Sequence, residues 1–139
     1  MYFNKDNNFF HGITCHHFHD DGIHKRGQGS IDKDDFYKMI NFIGKENILD
    51  ADVFFEKFKK NKLKENEVCL TFDDGIKGQI DIALPILEEL KIKSFFFSYT
   101  SIFEGNPDNL EYFRYFRMNY FNSVNEFYNN FYIFLDKDL

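Results

Sequence analysis

The chain has no tryptophan, only two prolines, two cysteines and eight glycines in 139 residues, and no histidine beyond His24. Two cysteines, Cys15 and Cys69, are too few for a disulfide framework. Both sit in apolar, strand-like runs, so reduced, buried thiols are expected. The scarcity of proline and serine-rich stretches excludes a linker or low-complexity organisation, and no internal repeat is present. No apolar run comes near the roughly 20 residues that span a bilayer, the longest aromatic run being Phe95-Phe96-Phe97. Residues 1–8 lack the apolar segment of a signal peptide, so a cytoplasmic protein is expected. Basic residues are outnumbered 17 to 23, giving a net charge of −6. Protonating all five histidines would still leave −1, so nucleic acid and anionic lipid are not expected partners.

What the chain has in excess is aromatic: 20 Phe and 8 Tyr, with 43% hydrophobic and 29% charged residues overall. That mixture belongs to one globular domain with a single core. Residues 13–18 are β-prone and end at the turn signal Asp20-Asp21-Gly22. Ser30 or Asp32 is placed to cap a helix in which Phe36, Met39, Ile40 and Ile43 recur at helical spacing before Gly44. A second helix is expected over 52–59, with Phe54, Phe55 and Phe58 on its apolar face. Residues 68–72 form a compact apolar run that stops at Asp73-Asp74-Gly75, as a buried strand does at the end of a sheet. Ile80, Ala83, Leu84, Leu87 and Leu90 then keep helical spacing, with Pro85 expected to kink the helix or open a fresh turn. Residues 93–100 read as the next strand. Strand, helix and strand in about 30 residues predict a βαβ unit with parallel pairing. Beyond Asn106-Pro107-Asp108, Leu110, Phe113, Tyr120 and Phe121 mark one helix, and the capping box Ser123 to Glu126 opens another.

The acidic pair Asp73-Asp74 is the most informative feature, because adjacent carboxylates at the mouth of a parallel sheet sit where such folds place chemistry. Successive strand residues point to opposite faces, so both acids enter one pocket only if the backbone turns, and Gly75 permits that turn. Two carboxylates this close repel, and a divalent cation between them relieves the repulsion. The bland alternative is a solvated turn that caps the next helix. A phosphoacceptor receiver domain also carries such a pair, but it needs an aspartate at a later strand end, and Phe97-Ser98-Tyr99-Thr100 offers none.

Thr71-Phe72-Asp73-Asp74-Gly75 after a hydrophobic strand resembles the first motif of the polysaccharide deacetylase family, also described as the NodB-homology domain or carbohydrate esterase family four. Ala83-Leu84-Pro85-Ile86-Leu87 followed by Ile92-Lys93-Ser94-Phe95-Phe96-Phe97 is similar to the helix and second strand that follow that motif. Cys15-His16-His17-Phe18 and residues 30–43 resemble the family's early strand and helix, so that the resemblance covers residues 13–104. It implies an α/β fold, a partial (β/α) barrel with about three parallel strands and flanking helices. Residues 1–12 would be an extension and 105–139 a helical, aromatic-rich segment. It also implies metal-dependent hydrolysis of N-acetyl groups on a carbohydrate, with Asp73 as general base, Asp74 as a metal ligand and a divalent ion, Zn²⁺ by preference, as cofactor.

The family completes its metal site with a later His-x-x-x-His pair, which this chain lacks. The expectation is therefore the N-terminal part of a deacetylase-like protein, of little activity alone, with a second chain supplying the missing half of the barrel. His11, His16, His17, His19 and His24 form a cluster; His17 and His19, at i and i+2 on one strand face, are the candidate substitutes for the absent ligands, and the competing reading is that one histidine of the five lines the pocket mouth and the rest are loop residues. The alternative is a non-catalytic remnant or interaction module that docks another chain through its aromatic helices.

Overall fold

The computed structural model describes residues 11–27 and 29–136. The extension expected at residues 1–12 lies almost wholly outside them. Three strands form one parallel sheet: β1 (Gly12–Cys15), β2 (Cys69–Phe72) and β3 (Phe95–Phe96), in the order β1-β2-β3. The observed architecture is thus a mixed α/β fold with an open three-stranded sheet and flanking helices.

β2 is central because its sequence tolerates burial on both faces: Cys69, Leu70 and Phe72 are all inaccessible to solvent. Thr71, facing the less crowded side, uses its hydroxyl to donate to Thr14 on β1 at 2.9 Å. Phe72 organises the core around itself. It stacks on Phe96 of β3 at 4.6 Å between ring centroids, meets Phe36 edge-on at 6.1 Å and lies 6.0 Å from Phe18.

Helix α1 (Lys33–Ile43) covers this core with Phe36 and Ile40. Of the two candidate caps, Asp32 serves, accepting from the Asp35 N–H at 2.8 Å, while Ser30 is occupied by His19 and Gly27. Gly44, at φ 82°, ends the helix in the left-handed region. Helix α2 (Ala51–Lys59) forms one residue earlier than expected and buries nothing fully: Phe54 is half covered, while Phe55 and Phe58 are 51% and 65% exposed. Of the expected apolar face only Phe54 is on the covered side, which runs through Ala51, Phe54 and Lys57, while Phe55 and Phe58 point to solvent.

The expected first strand, 13–18, stops at Cys15. β2 turns away after Phe72, which leaves His16 without a ladder partner, and Phe18 instead bridges to Ile31. The expected strand 93–100 shrinks to two residues for a similar reason. Its pairing is confined to Thr71 and Phe72, with Lys93 upstream tied instead to Asp50 and Ala51 and Val68, just before β2, bonded to Asn47 and Leu49.

Between β2 and β3 the chain runs through a π turn over Gln79–Ala83 into helix α3 (Leu84–Leu90). Pro85, in the first turn of α3, has no N–H to donate, and the preceding turn takes the wider register in which the Leu84 N–H reaches the Gln79 carbonyl. The extra residue rotates the apolar stripe: Ile80, expected inside, is 50% exposed, and Gln79 takes the buried position.

Helices α4 (Asn109–Tyr120) and α5 (Val124–Leu135) follow, capped by Asp108 and Ser123. Ser123 accepts from the Glu126 N–H, and the Glu126 carboxylate accepts from the Asn122 N–H, one residue before the cap. Phe127 is the one buried residue of this pair, ringed by Phe113, Phe121, Tyr128 and Phe131. No helix among the described residues is long and apolar enough to cross a membrane.

Two outcomes follow from this packing. Phe72→Ala removes the ring that joins both layers, and urea denaturation should show a loss of about 3–5 kcal/mol. The second concerns acid. The N–H of Asp35 holds the Asp32 carboxyl below its ordinary range, so its stabilising share is complete above that range and is lost as pH falls through the folded-state value. Asp32→Asn keeps a capping oxygen but no charge; its stability should therefore fall less steeply than wild type below about pH 4 in pH-dependent thermal melts.

Candidate functional site

The register of the sheet determines what meets at its C-terminal edge. Cys15, Phe72 and Phe96 are aligned across the three strands, so the next residues, His16, Asp73 and Phe97, emerge side by side. The Asp73 N–H donates to the Cys15 carbonyl at 3.3 Å and the Phe97 N–H to the Phe72 carbonyl at 2.7 Å, extending both pairings one step beyond the strands. His16 Nε2 then stands 3.7 Å from Asp73 Oδ2. That is a charge contact, too long for a hydrogen bond.

Immediately after Asp73 the backbone reverses. Asp74 has φ 76° and Gly75 φ 63°, two consecutive residues in the left-handed region, and this turn brings the second carboxylate to the same edge instead of the opposite face. The Tyr99 hydroxyl is near the Asp74 carboxylate, whose interaction and negative charge raise the pKa of the phenol. Gly75 is required twice over: by its φ, and because a Cβ there would lie 2.6 Å from Ser98 Oγ. Beneath the turn, the buried side chain of Gln79 donates to the carbonyls of both His16 and Asp73.

The other histidines are directed elsewhere. His17 Nδ1 lies 2.7 Å from Arg114 Nη1 and its Nε2 lies 3.0 Å from Glu111 Oε1. Arginine only donates, so Nδ1 is the acceptor, the proton sits on Nε2 and the ring is neutral. Its pKa is lowered, chiefly by burial, in the same sense. Both nitrogens of His17 are thus committed to α4. His19 is buried, with Nδ1 3.0 Å from Ser30 Oγ, and His24 Nε2 is 2.7 Å from Asp81 Oδ2. Asp20 accepts from the N–H groups of Gly22 and His24, which hold its carboxyl below the usual range, and so closes a turn. Cys15 and Cys69 are buried and unpaired, with burial pushing each thiol to about 11, which keeps them protonated and inert at neutral pH.

The structure therefore gathers Asp73, Asp74, His16 and Tyr99, and leaves His17 and His19 engaged away from Asp74. Among the described residues, no group of three His, Cys, Asp or Glu side chains is arranged to hold a metal ion. A catalytic zinc needs three protein ligands, so these residues alone do not fit a complete metal centre. His16 is selected by the register of β1 on β2 and by the early end of β1 at Cys15, neither of which the sequence shows. Tyr99 had no local signal, and Gln79 showed only as a polar residue on an apolar stripe with Ala83, Ile86 and Leu87.

The family model described as polysaccharide deacetylase matches residues 60–117. This segment is similar to the polysaccharide deacetylase family. No curated protein and no solved structure matches the chain. The matched segment contains β2, the acidic turn, the π turn, α3, β3 and most of α4. β1 and the histidines at 11–24 lie before it, so the early strand and helix expected from resemblance rest on residues outside the match.

Gly75→Ala should destabilise the fold by about 1–2 kcal/mol through φ alone, with the Ser98 clash added. In a double-mutant cycle read by urea denaturation, Ser98→Gly should recover the clash component and leave the φ component.

Proposed function

We propose that the chain carries the acid-bearing part of a carbohydrate deacetylase: hydrolysis of acetyl groups, N-acetyl foremost, on a sugar or polysaccharide. One observation carries this reading. The chain spends two consecutive left-handed residues, one of them the non-glycine Asp74, to bring both carboxylates of the family motif to the same sheet edge. Strain of that kind gathers at functional sites.

In this reading Asp73, 37% exposed at its side chain and facing His16, accepts the proton of a water molecule attacking the acetyl carbon. Asp74 would be the ligand of a divalent cation, Zn²⁺ by preference, with the Tyr99 hydroxyl interacting with its carboxylate. Held there, such a cation would polarise the acetyl carbonyl. Its remaining ligands come from outside the described residues. A second chain is the proposed source, and the surface left for it is specific: β3 pairs on one side only among the described residues, and Phe96 and Phe97 at it are 39% and 53% exposed.

The test is a titration of the isotopically labelled 139-residue chain with Zn²⁺ and with an N-acetylated oligosaccharide, read by NMR and by acetate release. Weak zinc binding that perturbs Asp74 and Tyr99, is lost in Asp74→Asn, and is accompanied by little acetate release is the expected result. Zinc perturbation centred on His24 and Asp81 and unchanged by Asp74→Asn would overturn the assignment. Full turnover by the isolated chain, abolished by Asp73→Asn, would show instead that the described residues suffice.

A further inference from the structure

Gln79 is fully buried, yet its side chain is polar and only half satisfied. Its Nε2 donates to the His16 carbonyl at 2.8 Å and to the Asp73 carbonyl at 2.5 Å. Carbonyl oxygens only accept, so the amide nitrogen must face them; turned over, Oε1 would confront two acceptors. The orientation is therefore dictated by the two main-chain groups, and Oε1 is left in the core with no partner among the described residues. A leucine would suit that side of the pocket better, since an orphaned buried acceptor is unfavourable. What the amide contributes lies entirely on its nitrogen side.

That side holds the two residues whose side chains face each other at the sheet edge. β1 and β2 are laddered only as far as Cys15 and Phe72, and one further main-chain bond joins the Asp73 N–H to Cys15. Beyond it the strands diverge, and the two carbonyls that would otherwise lose their partners are both collected by Gln79. The π turn is what puts the amide there. With the Leu84 N–H bonded to the Gln79 carbonyl five residues back, Gln79 and Ala83 take the buried face while Ile80 swings out to solvent.

We propose that Gln79 is a positioning residue: its amide, carried to depth by the π turn, clamps the main chain of His16 to that of Asp73 and so fixes the spacing of their side chains. The proposal rests on the reading of Asp73 as the base for its chemical meaning, but its geometry is tested without turnover. The clamp acts through the backbone, so it differs from a core contact in what it moves when removed. Loss of an ordinary core group lowers stability and leaves the sheet edge in place; loss of the clamp changes the environment of the His16 ring.

The test uses the full chain labelled with ¹³C and ¹⁵N, with the His16 imidazole signal identified by its disappearance in His16→Asn. In Gln79→Leu, the His16 ring and Asp73 carboxyl signals should move while the His11 ring signal stays. Ile86→Val, a core truncation in α3, should lower the melting temperature and leave His16 where it was. A folded Gln79→Leu chain whose His16 signal coincides with wild type would overturn the proposal. A second measurement needs no variant: in the wild-type chain both Gln79 side-chain amide protons should exchange with solvent at least about ten-fold more slowly than those of an exposed glutamine. The same amide should show scalar couplings across hydrogen bonds to both the His16 and the Asp73 carbonyl carbons. Fast exchange with no such couplings would overturn the proposal whether or not Gln79→Leu folds. None of these signals reads hydrolysis, so failure of the deacetylase reading leaves them intact and their failure leaves that reading standing.

Discussion

The site depends on a strand that is buried on both faces and then stops. β2 is four residues long, and its last side chain, Phe72, is sealed among Phe18, Phe36 and Phe96. Nothing charged follows such a ring into the core, so the acids that come next must lie at the rim, and the parallel register places them beside whatever leaves β1 at the same level. The encounter of His16 with Asp73 is a consequence of packing one step below it. Sheet edges of this kind acquire polar groups where the hydrophobic layer ends, and the same location gives a ligand access to them.

Holding those groups still requires polar atoms below the surface. Gln79 supplies donors for two carbonyls released by the divergence of the strands, at the expense of an acceptor without a partner among the described residues. Asp74 and Gly75 supply the reversal, at the expense of an unfavourable backbone region. Both features weaken the fold locally and serve the rim, which is the distribution expected when a site is built on a scaffold whose stability comes from elsewhere. On the far side, α4 is fastened to the segment after β1 by His17, Glu111 and Arg114, a polar joint in contrast to the aromatic contacts within the α4 and α5 pair.

How much of this could be read beforehand depended on the range of the physics involved. Caps are local, so Asp32, Asp108 and Ser123 announce their helices within four residues. The end of β2 was legible because an apolar run meeting Asp73-Asp74-Gly75 leaves little choice. Strand length was not, because it is set by the partner: β3 pairs only with Thr71 and Phe72, while Lys93 is drawn off to Asp50 and Ala51. The burial of α2 was hidden for the same reason, since the periodicity of a helix says nothing of what covers it. Among five histidines, spacing pointed to His17 and His19, whereas the one that reaches Asp73 is chosen by register, a property of two strands more than 50 residues apart. Gln79 was out of reach because its burial depends on a π turn, which shifts the helical phase by one residue.

The bare rim of β3 has a bearing on how the molecule behaves in company. Among the described residues the two-residue ladder of β3 pairs on one side only, and Phe96 and Phe97 there are 39% and 53% exposed, which amounts to an unfinished seam. Were the proposed second chain to add a strand there, the population of lone chains would become a function of concentration, and dilution itself would act as a variable that governs which state is sampled.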